Sequence, residues 1–200
     1  MPNAGHPTVI VLAAGRGQRF RQSGGAVHKL DATLAGRPVL QRVLDAVAAS
    51  GLPCHVVRPD SGVEHGTDGM GDSIARGVTA TAGAAGWLIL PGDLALITPD
   101  SLAQVARGLA TYPVVLPLHQ GQQGHPVGFG AACFDALTAL CGDRGAASIM
   151  RVYQQSGVVL TLHLDDPGVV MDIDTQDDLA RAESWLTSAS QQKEVAHGKC

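Results

Sequence analysis

The stretch Val9-Ile10-Val11-Leu12-Ala13-Ala14-Gly15-Arg16-Gly17-Gln18-Arg19-Phe20 decides how this chain is read. Its first six residues are apolar without alternation, and the β-branched ones come first. That pattern suits a strand buried on both faces, the kind found in a parallel sheet covered by helices. The run breaks at Gly15, and a polar, glycine-bearing segment continues to about residue 29. Arg16, Arg19, Arg21 and Lys29 lie between residues 16 and 29 with no carboxylate among them, four of the chain's 14 lysines and arginines. Two glycines let the backbone turn sharply, and exposed N–H groups in such a turn form a nest for an anion. Glycine turn and positive charge together point to phosphate. The segment matches neither GxxxxGK[ST] nor GxGxxG, and on spacing alone a solvated basic loop accounts for it equally well.

Working outward, Pro38 opens a run with Val39, Leu40, Val43, Leu44 and Val47 at helical spacing, stopped by Gly51. Residues 55–57 read as a second strand, 59–71 as a loop and 73–81 as a short helix. A third strand, Trp87-Leu88-Ile89-Leu90, ends abruptly at Pro91-Gly92-Asp93. Thr98-Pro99-Asp100 is good helix-start chemistry: a capping hydroxyl, proline at the first helical position and a carboxylate in the first turn. Residues 114–116 form a fourth strand, 120–130 an irregular polar segment, 131–140 a helix and 158–164 a further strand. Thr175 with Asp177 and Asp178 begins a last helix running through Trp185. Residues 187–200 lack periodicity and are expected to be a flexible tail behind a single domain spanning 8–186. Strands alternating with helices predict an α/β architecture, a Rossmann-like three-layer sandwich around a mostly parallel sheet. Ligands on such sheets bind at the carboxyl ends of the strands.

Composition narrows the function. In 200 residues, 14 Lys and Arg against 18 Asp and Glu leave a formal net charge of −4. A mildly acidic chain lacks the basic surface that general nucleic-acid binding needs. Hydrophobic content of 45% excludes a mainly disordered chain. No window approaches the roughly 20 apolar residues of a membrane span, and the apolar run near the N-terminus reads as a strand, not a signal peptide. The four cysteines, Cys54, Cys133, Cys141 and Cys200, form no CxxC pair, so neither a zinc site nor a disulfide framework is expected. Cytoplasm is the expected compartment, with neither nucleic acid nor membrane as a partner.

Three further places carry candidate chemistry. Asp93 follows a buried strand, where a divalent cation could bridge it to a triphosphate; a turn aspartate is the plainer reading. In Met171-Asp172-Ile173-Asp174-Thr175 two carboxylates share one side of an extended segment, placed to complete a magnesium site with Asp93 or merely to start the last helix. His125, before Pro126, is biased towards an extended conformation, and a lone loop histidine is more often surface than ligand. There is no HExxH and no Gly-x-Ser-x-Gly elbow.

Taken in order, these motifs resemble those of the MobA-like nucleotidyltransferases. The carriers are Leu12-Ala-Ala-Gly-x-Gly-x-Arg19, Lys29-Leu30, Gly36-x-Pro38-Val-Leu40, Gly69-Met-Gly-Asp-Ser73, Pro91-Gly-Asp93, Gly121-x-x-Gly-His-Pro-Val127, Gly142-Asp-Arg-Gly-Ala146 and Asp172-Ile-Asp-Thr175. The LAAG, GMG and GHPV forms are most similar to the molybdenum cofactor cytidylyltransferase branch. The resemblance implies a glycosyltransferase-A-like fold and transfer of a nucleoside monophosphate, CMP from CTP, onto the phosphate of molybdopterin with release of pyrophosphate. It implies that Leu12, Ala13, Ala14 and Gly15 line the base and ribose, with Gly71 and Ser73 on the other side, and that Gly17 and Arg19 cradle the triphosphate. It further implies that Asp93 and Asp174 hold Mg2+, that Lys29 offsets charge on the α-phosphate, and that His125 faces the acceptor. A molybdoenzyme receiving the cofactor is the implied downstream partner. GTP in place of CTP, a sugar-phosphate acceptor, and a non-catalytic cofactor-handling role are the alternatives. The chain departs from the family pattern in placing Lys29 ten positions after Arg19, and in carrying Phe20 where a methionine is usual. The glycine- and serine-bearing insertion is expected to be flexible enough for Lys29 to reach the phosphates.

Overall fold

Val9 and Val11 turn to one side of a central strand and Ile10 to the other, all three fully buried. That single fact requires cover on both faces. The computed structural model describes residues 5–59 and 69–197, with side chains described as far as residue 189. The elements in order are β1 (Thr8–Leu12), α1 (Gln18–Gln22), β2 (Thr33–Leu34), β3 (Arg37–Pro38), α2 (Val39–Ser50), β4 (Cys54–Val57), α3 (Met70–Ala80) and β5 (Gly86–Pro91). They continue with α4 (Pro99–Gly108), β6 (Val114–His119), β7 (Gln122–Gln123), β8 (Val127–Gly130), α5 (Phe134–Thr138), α6 (Ala147–Gln155), β9 (Val159–His163) and α7 (Gln176–His197).

Seven strands form one sheet in the order β4-β1-β5-β8-β6-β7, with β9 also paired to β6. β1 runs parallel to β4 and to β5, with Ile10 opposite His55 and Ile89. β6 and β9 are parallel too, while β8 is antiparallel to both β5 and β6. One core packs Val9, Val11, Leu88 and Leu90 against Val43 and Val47 of α2 and Leu102 and Val105 of α4. The opposite core packs Ile10, Ile89 and Val114 against Ile74 and Val78 of α3, Leu137 of α5 and Met150 of α6. These are the three layers expected, around a mixed sheet whose parallel pairs carry the site.

Four expectations are corrected. The polar segment 120–130 contains β8, a central strand. Its glycines read as a loop, yet Gly128 is where α4 lies so close that a Cβ would stand 3.0 Å from Val105. The helix expected from 73 begins at Met70, where Asp72 supplies the cap by accepting the Gly69 N–H at 2.9 Å. The expected loop 59–71 therefore ends earlier, and its residues 60–68 lie outside those described. The last helix does not stop at Trp185 but continues to His197, so 187–197 is helix; 198–200 lie outside the described residues. Finally, the insertion after Arg19 is held by bonds rather than loose. Gly25 N–H donates to the Phe20 carbonyl at 3.0 Å, and Ser23 Oγ both donates to that carbonyl at 2.8 Å and accepts the Gln176 N–H at 3.0 Å.

Candidate active site

The site is built at the carboxyl ends of β1 and β5, where Leu12 and Pro91 pair. Past β1 the chain turns through Gly17, whose φ of 61° favours glycine. Past β5 it turns through Gly92, whose N–H donates to the Leu12 carbonyl at 3.0 Å. A Cβ on Gly92 would stand 2.9 Å from that oxygen, so the two strand ends touch. This contact delivers Asp93 to the glycine loop. The segment bearing Asp174 is tied in by the Ile173 N–H, which donates to the Asp93 carbonyl at 3.3 Å. Asp178 then holds the Asp174 backbone, its Oδ2 accepting the N–H groups of Asp174 at 3.1 Å and Thr175 at 2.7 Å.

At the meeting point Lys29 Nζ donates to Asp93 Oδ2 at 2.6 Å and to Asp174 Oδ1 at 2.7 Å. Arg19 adds a contact to Asp174 Oδ2 at 2.6 Å. The insertion thus does not keep Lys29 from the site. Burial alone would lower the Lys29 pKa, but the charges and hydrogen bonds of Asp93 and Asp174 raise it above its ordinary value. Burial likewise pushes Asp174 upward, and the Lys29 and Arg19 contacts outweigh it, leaving its carboxyl below the usual range. Two carboxylates, one ammonium and one guanidinium share a small volume.

Three hollows open around Lys29. The first, about 610 Å³, is lined by Leu12, Ala14, Gly15, Met70, Ser73 and Asp143 among others. The second, about 600 Å³, is walled by Ile74, Leu116, Phe129 and Met150 and carries Gln122, Gln123, His125 and Asp172. The third, about 240 Å³, follows Gly15, Gly17 and Arg19 round the glycine loop to Asp174. Lys29 borders all three, and Asp93 the two larger ones. A group bound in the first can therefore meet a group bound in the second across the Lys29–Asp93 wall.

The expected residues divide accordingly. Leu12, Ala14, Gly15 and Ser73 face the first hollow, Gly17 and Arg19 the third, and His125 the second. Two do not line a hollow. Ala13 is buried, with its N–H on the Val57 carbonyl at 2.9 Å. Gly71 packs instead against the 141–146 loop, where a Cβ would stand 2.6 Å from the Arg144 carbonyl oxygen. His125 meets solvent within a concavity whose walls desolvate it, lowering its pKa, with the Asp93 charge a partial counterweight. Asp172 stands on the same wall, raised by burial first and then by the charges of Asp93 and Asp174. Arg21 turns aside to donate to the Arg16 carbonyl at 2.7 Å. Asp143 was not singled out, although its Gly142-Asp-Arg-Gly-Ala146 stretch was the available signal.

Among the described residues no group of three or more His, Cys, Asp or Glu gathers to hold a metal unaided. Magnesium, however, keeps several waters and takes one or two carboxylates plus substrate phosphates. Asp93 Oδ1 is buried with no hydrogen-bond partner, and a buried carboxylate oxygen left so is costly unless something else completes it. Asp93 and Asp174, close enough to share one ammonium, fit a divalent cation bound together with a nucleotide.

The family model of the MobA-like NTP transferase domain matches residues 9–158. A bifunctional protein GlmU from Halorhodospira halophila is 31% identical over 157 residues, 69% of this chain and 32% of that one. The chain spans from 25% to 32% of the length of the curated relatives it matches. A nucleotidyl transferase from Methanothermobacter superposes with a TM-score of 0.77 at 21% identity, covering 92% of this chain and 99% of that one. Molybdopterin-guanine dinucleotide biosynthesis protein A from Archaeoglobus fulgidus gives 0.60 at 16% identity, covering 90% and 99%. Rv0371c from Mycobacterium tuberculosis, solved in complex with manganese, gives 0.66 at 21% identity, covering 90% and 98%. Among the described residues no helix is long and apolar enough to cross a membrane.

Proposed function

The chain belongs to the MobA-like NTP transferase domain family, whose members are nucleotidyltransferases, and from that premise we propose that it transfers CMP from CTP to the phosphate of molybdopterin. The observation that carries the reading is Lys29, which bridges Asp93 and Asp174 where the three hollows meet. The nucleotide takes the hollow of Ala14, Gly15 and Ser73, its phosphates follow the glycine loop towards Arg19, and the acceptor takes the hollow beside His125.

In the reaction an acceptor phosphate oxygen attacks the α-phosphorus of the nucleotide. The new P–O bond forms as the bond to the β-phosphate oxygen breaks, and pyrophosphate leaves with that electron pair. The attacking oxygen is ionised at neutral pH, so no general base is required. Catalysis is then positioning and charge stabilisation. Lys29 neutralises charge growing on the α-phosphate, Arg19 holds the phosphate tail, and His125 hydrogen-bonds the acceptor. A divalent cation, Mg2+ by preference, held by Asp93 and Asp174, would supply the remaining neutralisation and clamp the phosphates.

Ala14 lines the nucleotide hollow, and on this reading its methyl stands where a purine would need room, which favours cytosine over guanine. Such a contact is worth about 1–3 kcal/mol, or roughly 10- to 200-fold in preference. Offering CTP and GTP together with molybdopterin and Mg2+, and weighing the products, tests both choices. A cytosine dinucleotide in excess is expected, with the gap narrowed by Ala14→Gly. Excess guanine product would overturn the nucleotide choice. Turnover with a sugar phosphate but not molybdopterin would overturn the acceptor.

A further inference from the structure

The insertion between Arg19 and Lys29 ends in His28, and both ring nitrogens of that residue are engaged. Nε2 lies 2.8 Å from the Gly15 carbonyl oxygen. A carbonyl only accepts, so Nε2 carries the proton. Nδ1 accepts the Leu30 N–H at 3.3 Å, so Nδ1 carries a lone pair. The two contacts together select one species, the neutral imidazole protonated at Nε2. The same ring lies against Gly17, where a Cβ would stand 3.2 Å from it.

These contacts join two parts of the site that the insertion separates in sequence. On one side is the turn Gly15–Gly17, which borders the nucleotide and phosphate hollows. On the other is the 3-10 turn Lys29–Asp31, which His28 caps through the Leu30 N–H and which begins with the bridging lysine. The insertion itself is anchored at Phe20 and at the start of α7. His28 therefore arrives at the glycine loop from a braced segment.

We propose that His28 is a positioning residue of this site, a neutral imidazole clasp that holds the Gly15–Gly17 turn at a set distance from Lys29. The proposal rests on the nucleotide-transfer reading above and extends it to a residue that touches neither substrate. Its two bonds have separable consequences. The Gly15 bond orders the nucleotide's loop and governs nucleotide affinity. The Leu30 bond orients the turn that carries Lys29 and governs the rate of transfer.

Three variants separate them. In His28→Asn the side-chain carbonyl can replace Nδ1 but nothing replaces Nε2. In His28→Gln the amide N–H can replace Nε2 but nothing replaces Nδ1. His28→Ala removes both. Affinity for Mg-CTP is read by calorimetry, and kcat with molybdopterin by pyrophosphate release. The Asn variant is expected to weaken CTP about tenfold, the scale of one lost hydrogen bond, with kcat close to the parent. The Gln variant is expected to keep CTP affinity and lose about tenfold in kcat, and the Ala variant to lose both. Imidazole 15N shifts of the parent should report the Nε2–H tautomer, and they decide the matter if the Ala variant fails to fold. Parent-like values in all three variants, losses that do not separate between Asn and Gln, or a dominant Nδ1–H tautomer would each overturn the proposal. A parent that releases no pyrophosphate, while the Asn variant still binds CTP more weakly, would remove the transfer reading and leave His28 in its place.

Discussion

Asp93 is the residue on which most of the site converges. It lies just past β5, contacts Lys29, borders both large hollows and keeps one buried oxygen without a partner. Asp93→Asn preserves shape and removes the charge, so a loss of at least about 100-fold in turnover is expected, the scale for a key electrostatic group. Circular dichroism checks that the variant is folded, and parent-like turnover would take Asp93 out of the chemistry. Asp174 makes a prediction about stability. Its pKa is depressed in the fold, chiefly by Lys29 against the opposing effect of burial, so its stabilisation is present above the ordinary value of 3.8 and fades as pH falls through the native value. Lys29, raised, contributes below its ordinary value of 10.5 and fades as pH climbs past it. Urea midpoints of the parent and Asp174→Asn should therefore differ fully above the ordinary value of 3.8 and converge only as pH falls below it through the depressed native value. A gap independent of pH would contradict this. Asp93 and Asp174 were legible in sequence because one follows a strand end and the other precedes a helix start, and Lys29 because it closes a basic stretch free of carboxylates. His28 was not legible, since its partner Gly15 is brought to it only by the folded loop.

At the scale of elements, the hollow lined by Ala14, Gly15 and Ser73 depends on how α3 meets the 141–146 loop. Gly71 N–H donates to the Gly142 carbonyl at 2.8 Å, and Asp72 Oδ2 accepts both the Gly69 N–H at 2.9 Å and the Gly142 N–H at 3.0 Å. At Gly69 a Cβ would fall 2.0 Å from the Gly142 carbonyl carbon, so no larger residue fits without parting the two segments. Gly69→Ala is expected to cost about 1–3 kcal/mol of stability, as overpacking does. It should also weaken nucleotide binding by moving Met70 and Ser73, which line that hollow. Thermal melts with and without CTP measure both, and an unchanged response to CTP would show that this junction does not shape the nucleotide side. Elements with continuous apolar runs, β1, β5 and β6, were legible because burial on both faces writes itself into composition. β8 was not, because its glycines serve the approach of α4 and mimic a loop. The far end of α7 was not legible either, since it has no apolar stripe to set a period.

On the scale of the whole molecule, the sheet is a platform that sets two large hollows against one lysine. The three-layer architecture was legible from the alternation of strands and helices. The antiparallel insertion of β8 between β5 and β6 was not, because strand order depends on long-range pairing that local pattern does not record. That pairing still shapes the site, for β8 leads directly from His125 and Pro126 and brings the wall of the second hollow beside β5. The central claim is transfer of the α-phosphoryl nucleoside with pyrophosphate departing. It is tested most directly by giving the protein molybdopterin, Mg2+ and CTP labelled at either the α- or the γ-phosphate, and following each label. The account predicts that the α-label appears in the acceptor product and the γ-label in pyrophosphate, in equal amounts. A γ-label found on the acceptor, or CTP left intact while molybdopterin is bound, would contradict it.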